Sequence, residues 1–329
     1  VAFSFPRAVE RLRGLSAAAG LEEGLERMHV HRSAVELVIQ APAKLNLFFE
    51  VLAKRNDGYH EIETLMCPID LYDTLCFEEI SGDEIEFACR YALAAGSPDA
   101  RGFLNIPRGA ENLVVRAVEM VRRRAGVRRG ARLLLVKRIP AAAGLGGGSS
   151  DAAAALVAAN DGWRLGRSRE ELAQWAAELG SDVPFFLADG PAICRGRGER
   201  VEPVAGLGGL SFVVVYPPEG LSTAAVYGLC RPASQAKQVQ PLVDALRRGD
   251  LAAAARRMCN RLQPAAESLS PWVKRLQHDF HDQDCLGHGM SGSGSSYFGV
   301  YRHARHARRS AQRLHAKGLG AVFAVRSCR

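Results

Sequence analysis

PAAAGLGGGSSDAA, residues 140–153, is the stretch on which the fold turns. An apolar, strand-like run at 132–137 leads into Pro140, and an Ala-rich helical run at 149–160 leaves the turn and ends at Asp161 and Gly162. A glycine turn between a strand and a helix aims backbone N–H groups and the positive end of the helix dipole at one point, which makes an anion site. Gly144, Gly146, Gly147 and Gly148 carry no Cβ to hold a phosphate oxygen off the main chain, and Ser149 and Ser150 add hydroxyls that can donate or ligate a metal. The plainer alternative is a tight turn with close helix packing. A Walker loop requires Lys after its last glycine, where Ser149 stands here. A Rossmann fingerprint requires an acid about 20 residues on, at the end of a second strand. Glu170 and Glu171 instead fall inside a helix that Ser168 and Glu171 open as a capping box and Gly180 closes as a left-handed cap.

Working outward, residues 35–40 and 45–52 read as two short strands around a break at Pro42, and KRNDGYH (54–60) reads as a turn. Residues 74–87 look like a strand pair divided at 81–83, and 112–124 has helical spacing. AGLGGL (205–210) is a hinge between lobes, so the chain divides into an N-terminal extension (1–34), a first lobe (35–205) and a second lobe (206–329). The second lobe offers a strand at 212–216, several helices, and a closing strand, helix, strand order that suits an α+β sandwich with helices on one sheet face. Met28 stands just ahead of the first strand-like run, as an initiator would, so residues before it are expected to be dispensable.

The 329 residues are 47% apolar and 24% charged, ordinary globular material. Lys and Arg number 43 against 35 acids, an excess of +8 that suits an anionic nucleotide as readily as a nucleic acid. The densest basic run, 302–313, has helical spacing and no interleaved stacking pattern, which favours a solvated helix face over nucleic-acid binding. No stretch is apolar for long enough to span a membrane, and eight scattered cysteines without a CxxC pair fit reduced thiols and a cytoplasmic setting.

Two strings supply candidate chemistry. APAKLNLFFEV (41–51) sets Lys44 and Asn46 on one face of a strand, although a lysine opening an apolar strand is commonly a solvated end. LGSDVPFFL (179–187) sets Asp182 at the edge of an apolar turn, where a plain N-cap is the competing reading.

Together these strings resemble the GHMP kinase superfamily, whose nucleotide loop has the pattern carried by Pro140, Ala141, Ala142, Ala143, Gly144, Leu145, Gly146, Gly147, Gly148, Ser149 and Ser150. DGYHEIETLM (57–66) narrows the likeness to the diphosphocytidyl-methylerythritol kinases, which carry it while homoserine and mevalonate kinases lack it. The resemblance implies a two-lobed α+β fold, with a first lobe like ribosomal protein S5 domain 2 and a ferredoxin-like second lobe. It implies phosphoryl transfer from ATP, with Mg2+, to the 2-hydroxyl of a cytidylated sugar alcohol. Asp182 is then the general base and Lys44 the cation beside the acceptor oxygen. Tyr59, His60 and Asn46 become substrate residues, joined by Thr223 and Tyr227 of PPEGLSTAAVY (217–227). Asn112 of ENLVVRA and Lys137 match positions near the adenosine, Ser150 is a metal candidate, and MSGSGSSYFGVY (290–301) resembles the third family motif. NRLQ (260–263) departs from the family's common NDLE by two acids. Another GHMP kinase and a nucleotide-binding regulator without catalysis are the competing functions; retention of Lys44 and Asp182 argues against the second.

Overall fold

The computed structural model describes residues 28–33, 36–92, 106–107 and 109–328. β1 (Val30–Arg32) is the antiparallel edge partner of β2 (Leu37–Lys54) in an eight-stranded sheet. Residues 30–32 of the expected N-terminal extension are therefore part of the first lobe's sheet, whereas residues 1–27 lie outside the described residues. The break expected at Pro42 is a bulge instead. β2 runs on for 18 residues, and its register against β3 (His60–Ile80) shifts between Pro42 and Ala43, again between Asn46 and Phe48, and again between Val51 and Ala53. Proline has no N–H to give a ladder, and a bulge is where a strand can hold it.

β4 (Ile85–Tyr91) lies parallel to β5 (Gly130–Lys137), with α1 (Leu113–Ala125) in the crossover between them. The glycine turn follows β5, and α2 (Gly147–Gly162) starts two residues ahead of the Ala-rich run that marks it in the sequence. Ala152, Ala153, Ala154 and Ala155 are all fully buried, because α2 lies against both α1 and the sheet and leaves room only for methyl groups. α3 (Arg169–Leu179) begins with the expected capping box between Ser168 and Glu171. Gly180 is a correction. Its φ of 175° is extended backbone, not the left-handed cap expected of it.

A hairpin of β6 (Ala192–Gly196) and β7 (Arg200–Pro203) completes this side, with β6 antiparallel to β3. Residues 204–210 then lead to β8 (Ser211–Tyr216) in a second sheet. There follow α4 (Thr223–Leu229), α5 (Gln240–Arg247), α6 (Leu251–Ala255), β9 (Cys259–Asn260), α7 (Gln263–Leu269), α8 (Pro271–His281), β10 (Gly287–Met290), β11 (Tyr297–Tyr301), α9 (Ala304–Ala316) and β12 (Ala321–Arg326). The second sheet is antiparallel in the order β10-β11-β8-β12. Its strands alternate as a two-faced sheet must: Val213 and Val215 pack with Phe280 and Leu314 of α8 and α9, while Phe212 and Val214 pack with Leu45 and Phe48 of β2. β9 returns to the first sheet and pairs in parallel with Phe48 and Phe49 of β2. Among the described residues no helix is long and apolar enough to cross a membrane.

Candidate active site

A cleft of about 850 Å³ opens between the glycine turn, β2 from Lys44 to Lys54, the β6–β7 hairpin and α4. The turn is pinned to β2 by main chain, since Lys44 N–H donates to the Leu145 carbonyl at 2.9 Å. Gly144 and Gly146 both have left-handed φ, +74° and +72°. A Cβ on Gly144 would run into the Ser291 carbonyl, and one on Gly146 would lie 2.9 Å from the Phe186 ring and 3.0 Å from the Lys44 side chain. Only glycine fits either place. Pro140, Ala141, Ala142, Ala143, Gly144, Gly146, Gly147, Gly148 and Ser149 all line the cleft, whereas the Leu145 side chain is in the core between the lobes.

Lys44 is almost wholly buried, and its ammonium donates to Asn46 Oδ1 at 2.6 Å and to the Gly144 carbonyl at 2.9 Å. Asp182 Oδ2 lies 3.6 Å from Lys44 Nζ, and the Asp182 side chain keeps about a third of its surface open to the cleft. Burial pulls the Lys44 pKa below its ordinary value, partly offset by the charge of Asp182. Asp182 owes its place to α3, which ends at Leu179, and to a 3-10 turn (Pro184–Leu187) whose four buried side chains anchor the chain just beyond it.

The far end of the cleft is ring-lined. Tyr59 stands exposed with the Arg197 guanidinium 4.7 Å from its ring centre, the geometry of a cation–π contact. The rings of His60 and Tyr227 are 5.1 Å apart, and Tyr227 meets Phe49 edge to face at 6.5 Å. Burial, with Lys54 nearby, lowers the His60 pKa, which favours the neutral imidazole that can both donate and accept. Burial raises the Tyr227 phenol, and the Asp182 charge adds to this. Thr223 and Tyr227, four residues apart on one face of α4, both line the cleft, and Thr223 Oγ1 is 2.9 Å from Ser293 Oγ.

Five expected contacts, Leu145 among them, are not in the lining. Asn46 is buried behind Lys44, where its Oδ1 takes the ammonium and its Nδ2 donates to Thr64 Oγ1 at 2.9 Å, so no polar atom of its side chain faces the cleft. Asn112 caps α1 by accepting from Val114 N–H. Lys137 is buried beneath the turn between Asp73 and Asp151, and Asp73 in turn accepts from the N–H groups of Arg138 and Ile139. Ser150 is fully buried, and its hydroxyl has no hydrogen-bond partner; Asp151 Oδ1 is in the same condition. The sequence reading missed Arg197, Lys54, Phe49 and Ser293. Arg197 had a signal, being set between Gly196 and Gly198, both with left-handed φ in the hairpin turn.

Residues 112–190 match the GHMP kinases N terminal domain, and residues 242–319 match the GHMP kinases C terminal domain. The chain is 43% identical over 275 residues to the 4-diphosphocytidyl-2-C-methyl-D-erythritol kinase of Pelotomaculum thermopropionicum, covering 83% of this chain and 92% of that one. It is 35% identical to the same-named kinase of Alkaliphilus metalliredigens, covering 85% and 92%. A crystal structure of 4-(cytidine 5'-diphospho)-2C-methyl-D-erythritol kinase superposes with a TM-score of 0.74 at 36% identity, over 89% of this chain and 99% of that one. Homoserine kinase from Cytophaga hutchinsonii, 20% identical with a TM-score of 0.67, shares the fold. The two-lobed α+β fold is thus that of the GHMP kinases, and the chain belongs to their 4-diphosphocytidyl-2-C-methyl-D-erythritol kinase family.

Proposed function

We propose that this chain transfers the γ-phosphoryl group of ATP to the 2-hydroxyl of 4-diphosphocytidyl-2-C-methyl-D-erythritol, giving the 2-phosphate and ADP on the non-mevalonate route to isopentenyl diphosphate. The observation that carries it is the approach of Lys44 and Asp182 to 3.6 Å in a cleft with an anion-binding turn at one end and a ring-lined pocket at the other. The N–H groups at the start of α2 take the phosphates of ATP. Asp182 accepts the proton of the attacking hydroxyl, and Lys44 offsets charge on the acceptor oxygen. Asn46 acts through Lys44, holding the ammonium in line. Most of the acceleration comes from positioning and charge neutralisation.

Tyr59 and Tyr227 offer ring faces to a cytosine, and His60 offers hydrogen bonds to its edge. Lys54 and Arg197 put two cations at the same end, matched to the acceptor's diphosphate. Magnesium fits the orphaned oxygens of Ser150 and Asp151, which are hard ligands of the kind it takes alongside phosphate. When bound it neutralises phosphate charge. A cytoplasmic setting accompanies this reading, supported by eight thiols that no disulfide joins among the described residues.

The test is ADP release from Mg-ATP with the cytidylated acceptor, set against homoserine and mevalonate. Asp182→Asn is expected to fold as the parent does and to lose about 10² to 10⁴-fold in kcat. Inertness towards the cytidylated acceptor, or near-parental turnover by Asp182→Asn, overturns the reading.

A further inference from the structure

NRLQ, the stretch that departs from the family pattern, is built into the frame behind the cleft. Arg261 donates from Nε to Glu50 Oε1 at 2.6 Å and from Nη2 to Glu50 Oε2 at 3.0 Å. Glu50 is fully buried and also accepts from the N–H groups of Val51 at 3.2 Å and Lys237 at 3.1 Å. Burial alone would raise this carboxyl, but the bonds from Arg261 and Lys237 outweigh it and hold it below its ordinary range. Arg261 is tied through its main chain as well. Its N–H donates to the Phe49 carbonyl at 2.8 Å, and its own carbonyl accepts the Cys230 thiol at 3.8 Å, at the end of α4. The ion pair therefore ties the strand that carries Phe49 to Arg261 and to the segment at Lys237, and the Arg261 main chain, held in place by the pair, carries the contact to the end of the helix that bears Tyr227. Neither charged side chain lines the cleft.

We propose that Glu50 and Arg261 are positioning residues that fix α4 against β2, and so set how closely Tyr227 closes on the acceptor's base without taking part in transfer. A bidentate pair allows one geometry; removal of Arg261 leaves the Glu50 carboxylate without its complement in a dry place, and removal of the Glu50 charge frees the half-buried Arg261 from its one orientation. The inference rests on the function proposed above for its substrate, but not for its mechanics.

The experiment is steady-state kinetics together with backbone hydrogen exchange on Glu50→Gln, Arg261→Met and the double variant. Each single change is expected to raise the acceptor KM on the order of tenfold. KM for ATP should stay within about twofold, because the glycine turn does not touch the pair. Amides of α4 should exchange faster than those of α2. The double variant, with no lone charge left behind, should fall short of the combined single effects. Equal rises in both KM values, or α4 amides that exchange as in the parent, overturn the proposal and leave the pair a general brace. If the parent itself ignores the cytidylated acceptor, the proposed function fails while hydrogen exchange still decides the role of the pair. Should Arg261→Met not fold, Glu50→Gln, which keeps the shape and the two hydrogen bonds on one of the two oxygens, separates the same two outcomes.

Discussion

Lys137 and Lys44 are both buried lysines near the glycine turn, yet their surroundings separate them. Lys137 sits between two carboxylates and has no open side, so it braces β3 to the start of α2 beneath the turn. Lys137→Met strands two buried acids, and the expected loss of stability is about 3–5 kcal/mol, read by chemical denaturation. Lys44 faces one carboxylate across 3.6 Å and the cleft beyond it. In the proposed transfer it serves as a cation, and burial makes that cation easier to deprotonate than an ordinary lysine with a pKa of 10.5. As pH rises the proton therefore leaves early, and kcat/KM should decline on the alkaline side below pH 10.5. A profile flat to that pH would contradict this. The motif strings made both lysines legible. They could not tell lining from brace, because spacing along a strand does not say which buried acids the folded chain will bring up from residues 73 and 151.

At the scale of elements, the glycine turn was the most readable part, since strand, turn and helix are contiguous and local chemistry fixes them. Its tightness was not readable. The Ser291 carbonyl that excludes a side chain at 144 comes from the other lobe, and Ser291 Oγ also donates to the Gly144 carbonyl at 2.9 Å. Gly144→Ala meets both this obstruction and a left-handed φ, a strain of about 1–3 kcal/mol before any clash. The expected result is a KM for ATP raised about tenfold or more, with α3 and its capping box intact by hydrogen exchange; parental ATP affinity would show that the turn can yield. Gly180 and Pro42 misled for one reason. Each residue type has a favoured use, a left-handed cap or a strand break, and tertiary pairing selected another.

Over the whole molecule, the change from one sheet to the next at 204–210 was legible as a glycine-rich stretch, but the closeness of the lobes was not. Leu45 and Phe48 of the first lobe share a core with Phe212 and Phe298 of the second, and β9 crosses back to pair with β2. Calorimetry should accordingly show one cooperative transition, with calorimetric and van't Hoff enthalpies equal; two resolved transitions would mean the shared core contributes little. The register shift between Asn46 and Phe48 has its own outcome. In a regular strand Lys44 and Phe49, five positions apart, would point to opposite faces, whereas here both meet the same cavity. On the proposed reading, one bulged strand thus carries both the mark where the base rests and the mark where the hydroxyl lies, separated along its axis by no more than roughly 17 Å. It acts as a gauge of ligand length: a molecule of the wrong span can be held at either mark but cannot reach both.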